Sequence, residues 1–178
     1  MKKFITFFLL LSISVCQAQK YPKPLVEGKV IYSEVVQVDS TSKEELYRRA
    51  KVWIANSFQS AKAVIDLDEK ESQNVIGKGN IQWSTFGLLI GKNSRTVKFT
   101  FYIKAKDNKV KIEFKSIELG YDLGNVKNND PVETYIEAKN PFYKGMREED
   151  FKKIDDTITN TIADFKQNVS KKAKVDDF

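Results

Sequence analysis

The sequence predicts an α+β fold, a curved antiparallel sheet with two helices packed on one face, in the order β-α-β-β-β-β-α. Three observations predict it. Residues 95–106 alternate most cleanly of any segment. Val97, Phe99, Phe101 and Ile103 fall on one side, and Lys98, Thr100, Tyr102 and Lys104 on the other, which is the period of a half-buried strand. Two other segments, 42–58 and 147–169, carry apolar residues at helical spacing instead. Finally, Asp107-Asn108 joins two alternating runs, and both residue types tolerate the positive φ of a tight hairpin.

Taken in order, the chain opens with what reads as a signal peptide over residues 1–18. Met1-Lys2-Lys3 supplies a positive start. Residues 4–15 supply an apolar run too short for a bilayer core of roughly 30 Å, and Ala18 supplies the small residue before a cut. Cys16 offers a second fate, acylation as a lipoprotein anchor, although the residue ahead of it is the bulky Val15. Pro22 and Pro24 make 19–27 an extended leader. One α+β domain is expected over 28–170 and a charged, frayed tail over 171–178. A domain of that size buries roughly 68–70% of its unfolded surface, enough for an ordinary core.

Residues 28–38 have strand character, with Val30, Tyr32, Val35, Val36 and Val38. The helix over 42–58 starts at a capping box, Ser42 with Glu45, and buries Leu46, Ala50, Trp53, Ile54 and Phe58. Its acids, Glu44 and Glu45, precede Arg48, Arg49 and Lys51, as the helix dipole favours. In the strand over 63–69, Ile65 and Leu67 point one way and Asp66 and Asp68 the other. In 75–85, Ile81 and Trp83 oppose Asn80, Gln82 and Ser84. Along 109–121, Val110, Ile112 and Phe114 point inward. Ile117, Leu119 and Tyr121 are then displaced by one, which a β-bulge near Lys115-Ser116 would restore. Residues 122–145, with Asn128-Asn129-Asp130-Pro131 and Asn140-Pro141, read as a long loop. The second helix, from Arg147, carries Phe151, Ile154, Ile158, Ile162, Phe165 and Val169 as its stripe.

Composition narrows the chemistry. The chain has no His and one Cys, which leaves with the signal if cleavage follows Ala18. That removes zinc sites of the usual type, His-based triads, Cys nucleophiles and disulfides. Carboxylate, Ser/Lys and Tyr chemistry remain, and no cofactor or metal is expected. Net charge is +6; without Lys2 and Lys3 it is about +4 and interleaved with acids. Nucleic acid is not expected as the partner of an exported chain, whereas anionic polymers and lipid headgroups fit. Asp66 and Asp68, near Glu69 and Glu71, invite a hard-cation or acid/base reading, but no glycine loop wraps an ion there. Gly77-Lys78-Gly79 and Gly91-Lys92-Asn93-Ser94 lack the spacing of a phosphate loop.

The stretch Ser42-Lys43-Glu44-Glu45-Leu46-Tyr47-Arg48-Arg49-Ala50-Lys51-Val52-Trp53, followed by Val64-Ile65-Asp66 and Ile76-Gly77-Lys78-Gly79, resembles a family of exported bacterial proteins. That family is a domain of unknown function with a TBP-like fold. The resemblance spans roughly residues 28–120. It implies the fold and the signal peptide and carries over no catalytic residue. Tyr47, Arg49 and Trp53 are expected to be framework: Trp53 in the core, Tyr47 and Arg49 bridging helix to loop.

Two surfaces remain as candidate binding sites. On the sheet face, Lys98, Lys104 and Lys106 are expected opposite Lys109, Lys111 and Lys115, with Tyr102 and Glu113 among them. The binding set is Lys98, Tyr102, Lys104, Lys109, Lys111 and Lys115; the plain alternative is a solvated face kept soluble by lysines. The second surface is an apolar hairpin tip, Phe86, Leu88, Leu89 and Ile90, where polar turn residues are the rule. Its alternative is a segment folded back over the sheet edge. The expected function is an exported, non-enzymatic binding domain of the cell envelope. Its partner would be an envelope protein, a peptide or an anionic polymer, with weak self-association left open. A peptide-capturing inhibitor or chaperone-like module, on a TBP-like or cystatin-like sheet, is the alternative. A carboxylate- or Ser/Lys-dependent hydrolase or transferase is the third reading.

Overall fold

The computed structural model describes residues 25–58, 64–87, 91–122, 127–137 and 144–171. The expected signal peptide, most of the leader and residues 172–178 of the tail lie outside the described residues. A small hairpin, β1 (Leu25–Val26) and β2 (Lys29–Val30), leads into β3 (Tyr32–Gln37) and α1 (Lys43–Ser57). Then come β4 (Ile65–Glu69), β5 (Asn74–Gly87), β6 (Gly91–Lys106), β7 (Lys109–Asp122) and β8 (Lys127–Pro131). Two helices follow, α2 (Val132–Glu137) and α3 (Lys144–Ser170).

The main sheet is antiparallel, in the order β3-β7-β6-β5-β4. One edge of β7 is shared: β3 takes residues 109–114 and β8 takes 118–122. Helices α1 and α3 both lie on the face that carries Phe99, Phe101 and Ile103 of β6 and Ile112, Phe114 and Leu119 of β7, all buried. Trp53 joins the two helices. Its ring meets Phe165 edge-on at 5.0 Å, and its Nε1 donates to Asp164 Oδ2 at 2.7 Å. The α3 stripe is as expected, with Phe151, Ile154, Ile158, Phe165 and Val169 buried and Ile162 packed against them.

Local chemistry explains the starts and stops. Ser42 caps α1, its Oγ accepting from the Glu45 N–H at 3.3 Å. The expected reciprocal bond gives way to ion pairs. The Glu45 carboxylate takes Arg48 Nε and Arg49 Nε, each at 2.7 Å, because cations on the next turn hold it more strongly than a backbone amide. The β6–β7 turn docks beside this cap. Asn108, at φ +63°, donates its N–H to Thr41 O and accepts from Val38 N, both at 2.8 Å. Asp107 Oδ1 accepts from Lys43 N at 2.9 Å. The expected β7 bulge is present: Lys98 pairs Glu118 but Thr100 pairs Lys115, and Ser116 has φ +51°.

Three elements depart from expectation. The strand over 28–38 is interrupted at Ile31: Glu27 and Gly28 turn with positive φ, so that Lys29–Val30 pairs back on β1, while Tyr32–Gln37 pairs β7. The loop over 122–145 contains β8 and α2. Pro131 ends β8 on the sheet edge, where a missing N–H is tolerated. Val132 is fully buried, Glu133 Oε1 accepts from Val30 N at 2.8 Å, and the Tyr135 hydroxyl donates to Asp130 Oδ2 at 2.9 Å. In β4 the register slips: Ile65 pairs Gly77 and Leu67 pairs Ile76, so Asp66 is the extra residue. Leu67 therefore turns outward, 41% exposed.

Gly77 and Gly79 face the core. A Cβ on Gly77 would lie 2.4 Å from Phe101 Cζ and 2.6 Å from the Val64 carbonyl oxygen; one on Gly79 would lie 2.5 Å from Phe99 Cε2. Gly77 pairs Phe101 and Gly79 pairs Phe99, so each ring lies down over the bare backbone of its neighbour. Gly77→Ala is expected to destabilise by about 1–3 kcal/mol, since neither a buried ring nor a backbone carbonyl can yield freely; denaturant unfolding measures this. A second outcome concerns acid. Arg48, then Arg49, pull the Glu45 carboxyl from 4.5 down to about 2 against an opposing effect of burial. A carboxyl depressed in the folded state stabilises above its unfolded pKa and loses that contribution as the pH falls toward its folded one. Thermal melts should show stability falling between pH 4.5 and 2, and Glu45→Gln should flatten that fall while lowering Tm near neutrality.

Candidate functional site

Alternation sends every second side chain of the sheet away from the helices. On this open face the central rows run across β6, β7 and β3. Tyr102 pairs Glu113, which pairs Ser33; Lys104 pairs Lys111, which pairs Val35; Lys106 pairs Lys109, which pairs Gln37. Two lysine pairs thus stand directly opposite one another, an arrangement that costs stability in a sheet. Val35 lies beside them, 49% exposed. Together Val35, Lys104, Lys106, Lys109 and Lys111 line a depression of about 270 Å³. Among the described residues, no acid forms an ion pair with Lys104, Lys106 or Lys109.

The neighbouring row is neutralised. Glu113 takes Lys111 Nζ at 2.6 Å and Lys115 Nζ at 3.4 Å. The Lys111 hydrogen bond, with Lys115 behind it, holds the Glu113 carboxyl below its ordinary range despite partial burial. Lys115 also sits 3.7 Å above the Tyr102 ring, so that one face of the aromatic already carries a cation. The expected opposition of Lys98 to Lys115 is not found. The Ser116 bulge places Lys98 opposite Glu118 instead. Lys98 also stands roughly 20 Å along β6 from Lys104. Of the six expected residues, Lys104, Lys109 and Lys111 come together, Lys115 and Tyr102 form a separate stack, and Lys98 stands apart.

Lys106 and Val35 complete the cluster. Lys106 was legible by parity. Val35 was not, because Val35-Val36 gives two adjacent apolar residues and only the register shows that Val36 is the buried one. At the other expected surface, Phe86 pairs Lys92 and Gly87 pairs Gly91, so β5 and β6 stay paired up to Gly87 and Gly91. Leu88, Leu89 and Ile90, and the side chain of Phe86, lie outside the described residues.

Asp66 and Asp68 do not share a face. The bulge at Asp66 sends it to Lys78 on the open side, at 2.8 Å. Asp68 turns to α1, where the Tyr47 hydroxyl donates to its Oδ1 and Lys51 Nζ to its Oδ2, the latter at 2.5 Å. Burial, then Asp68 itself, pushes the Tyr47 hydroxyl up to about 12. No group of three His, Cys, Asp or Glu side chains suited to a metal occurs among the described residues. Tyr47, Arg49 and Trp53 all act in the framework. Arg49 reaches α3 rather than a loop, donating to the Val169 carbonyl at 2.8 Å. One buried pair was missed: Arg95 Nε donates to Asp150 Oδ2 at 3.4 Å, fixing α3 to β6. Its parity with Val97 and Phe99 was the available signal. No described helix is long and apolar enough to cross a membrane.

Among curated proteins, none matches this sequence. Two solved structures share the fold. One is a TBP-like protein from Parabacteroides distasonis, 20% identical, with a TM-score of 0.61, covering 82% of this chain and 97% of that one. The other is a DUF4468 family protein from Bacteroides ovatus, 17% identical, with a TM-score of 0.59, covering 80% of this chain and 89% of that one. Residues 32–119, from β3 into β7, match the family model of a domain of unknown function (DUF4468) with TBP-like fold. The chain therefore belongs to the DUF4468 family.

Proposed function

We propose that this protein is an exported, non-enzymatic binding domain of the cell envelope, and that its open sheet face holds an anionic ligand. One observation carries the reading: the opposed pairs Lys104–Lys111 and Lys106–Lys109 converge on the exposed Val35. Like charges paired across a sheet are unfavourable alone and favourable around an anion. The apolar centre suits a ligand that alternates negative and apolar groups, an acidic peptide or a substituted anionic polymer. Export rests on the order of positive start, apolar run and small residue within residues 1–18. The non-enzymatic reading rests on a chain without His and on Asp66 and Asp68, each paired with a lysine.

Dextran sulfate serves as a probe polyanion. Titration calorimetry should give binding that weakens steeply with salt. The double variant Lys104→Glu/Lys109→Glu should bind at least about tenfold more weakly, as loss of two exposed charge contacts implies. Lys98→Glu should change little. Equal weakening by both variants would place the ligand elsewhere. Glu113→Gln releases Lys111 and Lys115 and should tighten binding by about threefold. Wild-type binding should also strengthen as acid protonates Glu113, and that gain should vanish in Glu113→Gln.

A further inference from the structure

Strand β4 pairs with residues 74–77 of β5 and stops there. From residue 78 to residue 87, no strand among the described residues pairs with that edge of β5. This is roughly 33 Å of backbone with one row of hydrogen-bonding groups turned outward. Exposed edges are ordinarily guarded by lysines, prolines or bulges. Here the sequence is Lys78-Gly79-Asn80-Ile81-Gln82-Trp83-Ser84-Thr85-Phe86-Gly87, with no proline and one charge, placed at one end. The β5–β6 register runs through it without a shift.

We propose that two copies of this chain pair antiparallel along this edge, about a twofold axis at Gln82. That register puts Gln82 opposite the partner's Gln82 and Asn80 opposite the partner's Ser84, all exposed on the open face. On the helix face it puts Ile81 opposite the partner's Trp83, and Trp83 opposite the partner's Ile81. Both side chains are half-buried and packed against the core. Aromatic and β-branched residues directly opposite each other stabilise a strand pair. The charge distribution selects the same arrangement. Antiparallel pairing sends the two Lys78 side chains to opposite ends, roughly 26 Å apart and beyond screening distance, whereas parallel pairing would set them side by side. A foreign strand carries no such built-in match, so the edge fits a second copy best. The sheets then join into one, with all helices on one side and both lysine depressions on the other. This inference is independent of the anion reading.

Residue 82 faces itself in this arrangement, which makes the test specific. Gln82 is exposed and, among the described residues, donates to Thr96 Oγ1 alone, at 3.2 Å, so substitution there leaves the core untouched. Sedimentation of the full chain should show a dimer. Gln82→Lys and Gln82→Glu alone should each weaken it at least about tenfold with an unchanged circular dichroism spectrum. An equimolar mixture of the two should associate again. A wild-type chain that stays monomeric throughout the micromolar range would overturn the proposal, as would variants that dimerise like it or a mixture that fails to recover. A monomeric wild type that binds a synthetic peptide of residues 78–87 would likewise overturn it, assigning the edge to a foreign strand.

Discussion

The rest of the structure hangs on aromatic rings laid over bare backbone. Phe101 and Phe99 can lie across β5 only because Gly77 and Gly79 offer them no side chain. Phe58, just past the end of α1, then stacks on Phe101 at 5.5 Å, nearly parallel at 14°. From there contact runs through Trp53 to Phe165 on α3, and on the sheet side to Phe114 of β7. Both helices and the three long strands meet in this one chain of rings. Such contacts are worth about 0.5–1.5 kcal/mol each beyond their buried area. The Gly-x-Gly that suggests a phosphate loop is therefore a seat for two phenylalanines.

A core that closes so fully on one side leaves the other side of the sheet free of packing duties. Charges on the helix side are taken up in pairs: Glu45 with Arg48 and Arg49, Asp68 with Tyr47 and Lys51, Arg95 with Asp150. These contacts tie α1 to β4 and α3 to β6. On the open side, lysines oppose lysines. The same alternation produces both faces, and the identity of the outward residues of β6 and β7 separates the lysine face from the packed one.

How much the sequence discloses follows from how local each cause is. The strand over 95–106 repeats its message at every second residue, and the β7 bulge announces itself as a slip of phase. The α1 cap is a matter of a few adjacent residues. Strand β8 is different. Asn128-Asn129-Asp130-Pro131 has loop chemistry, and becomes a strand because β7 offers an edge that β3 leaves open. The β4 bulge is likewise set from a distance, since Asp66 and Asp68 are drawn apart by Lys78 on one face and by Tyr47 and Lys51 on the other. The basic cluster was half visible. Its lysines follow from parity, but Lys98 was misplaced because the inferred bulge was not carried through to the pairing beyond it.

The Asp107-Asn108 turn links these halves in another way. It separates the strands that bear the lysine cluster, and it also accepts from or donates to Val38 and Thr41 before α1 and Lys43 at its start. The amides of Val38, Thr41, Lys43 and Asn108 therefore share one fate. They exchange with solvent together when the turn lifts from the helix start, as a single cooperative unit rather than as separate fraying ends. Whatever steadies the lysine hairpin therefore steadies the first turn of α1 on the far side of the sheet.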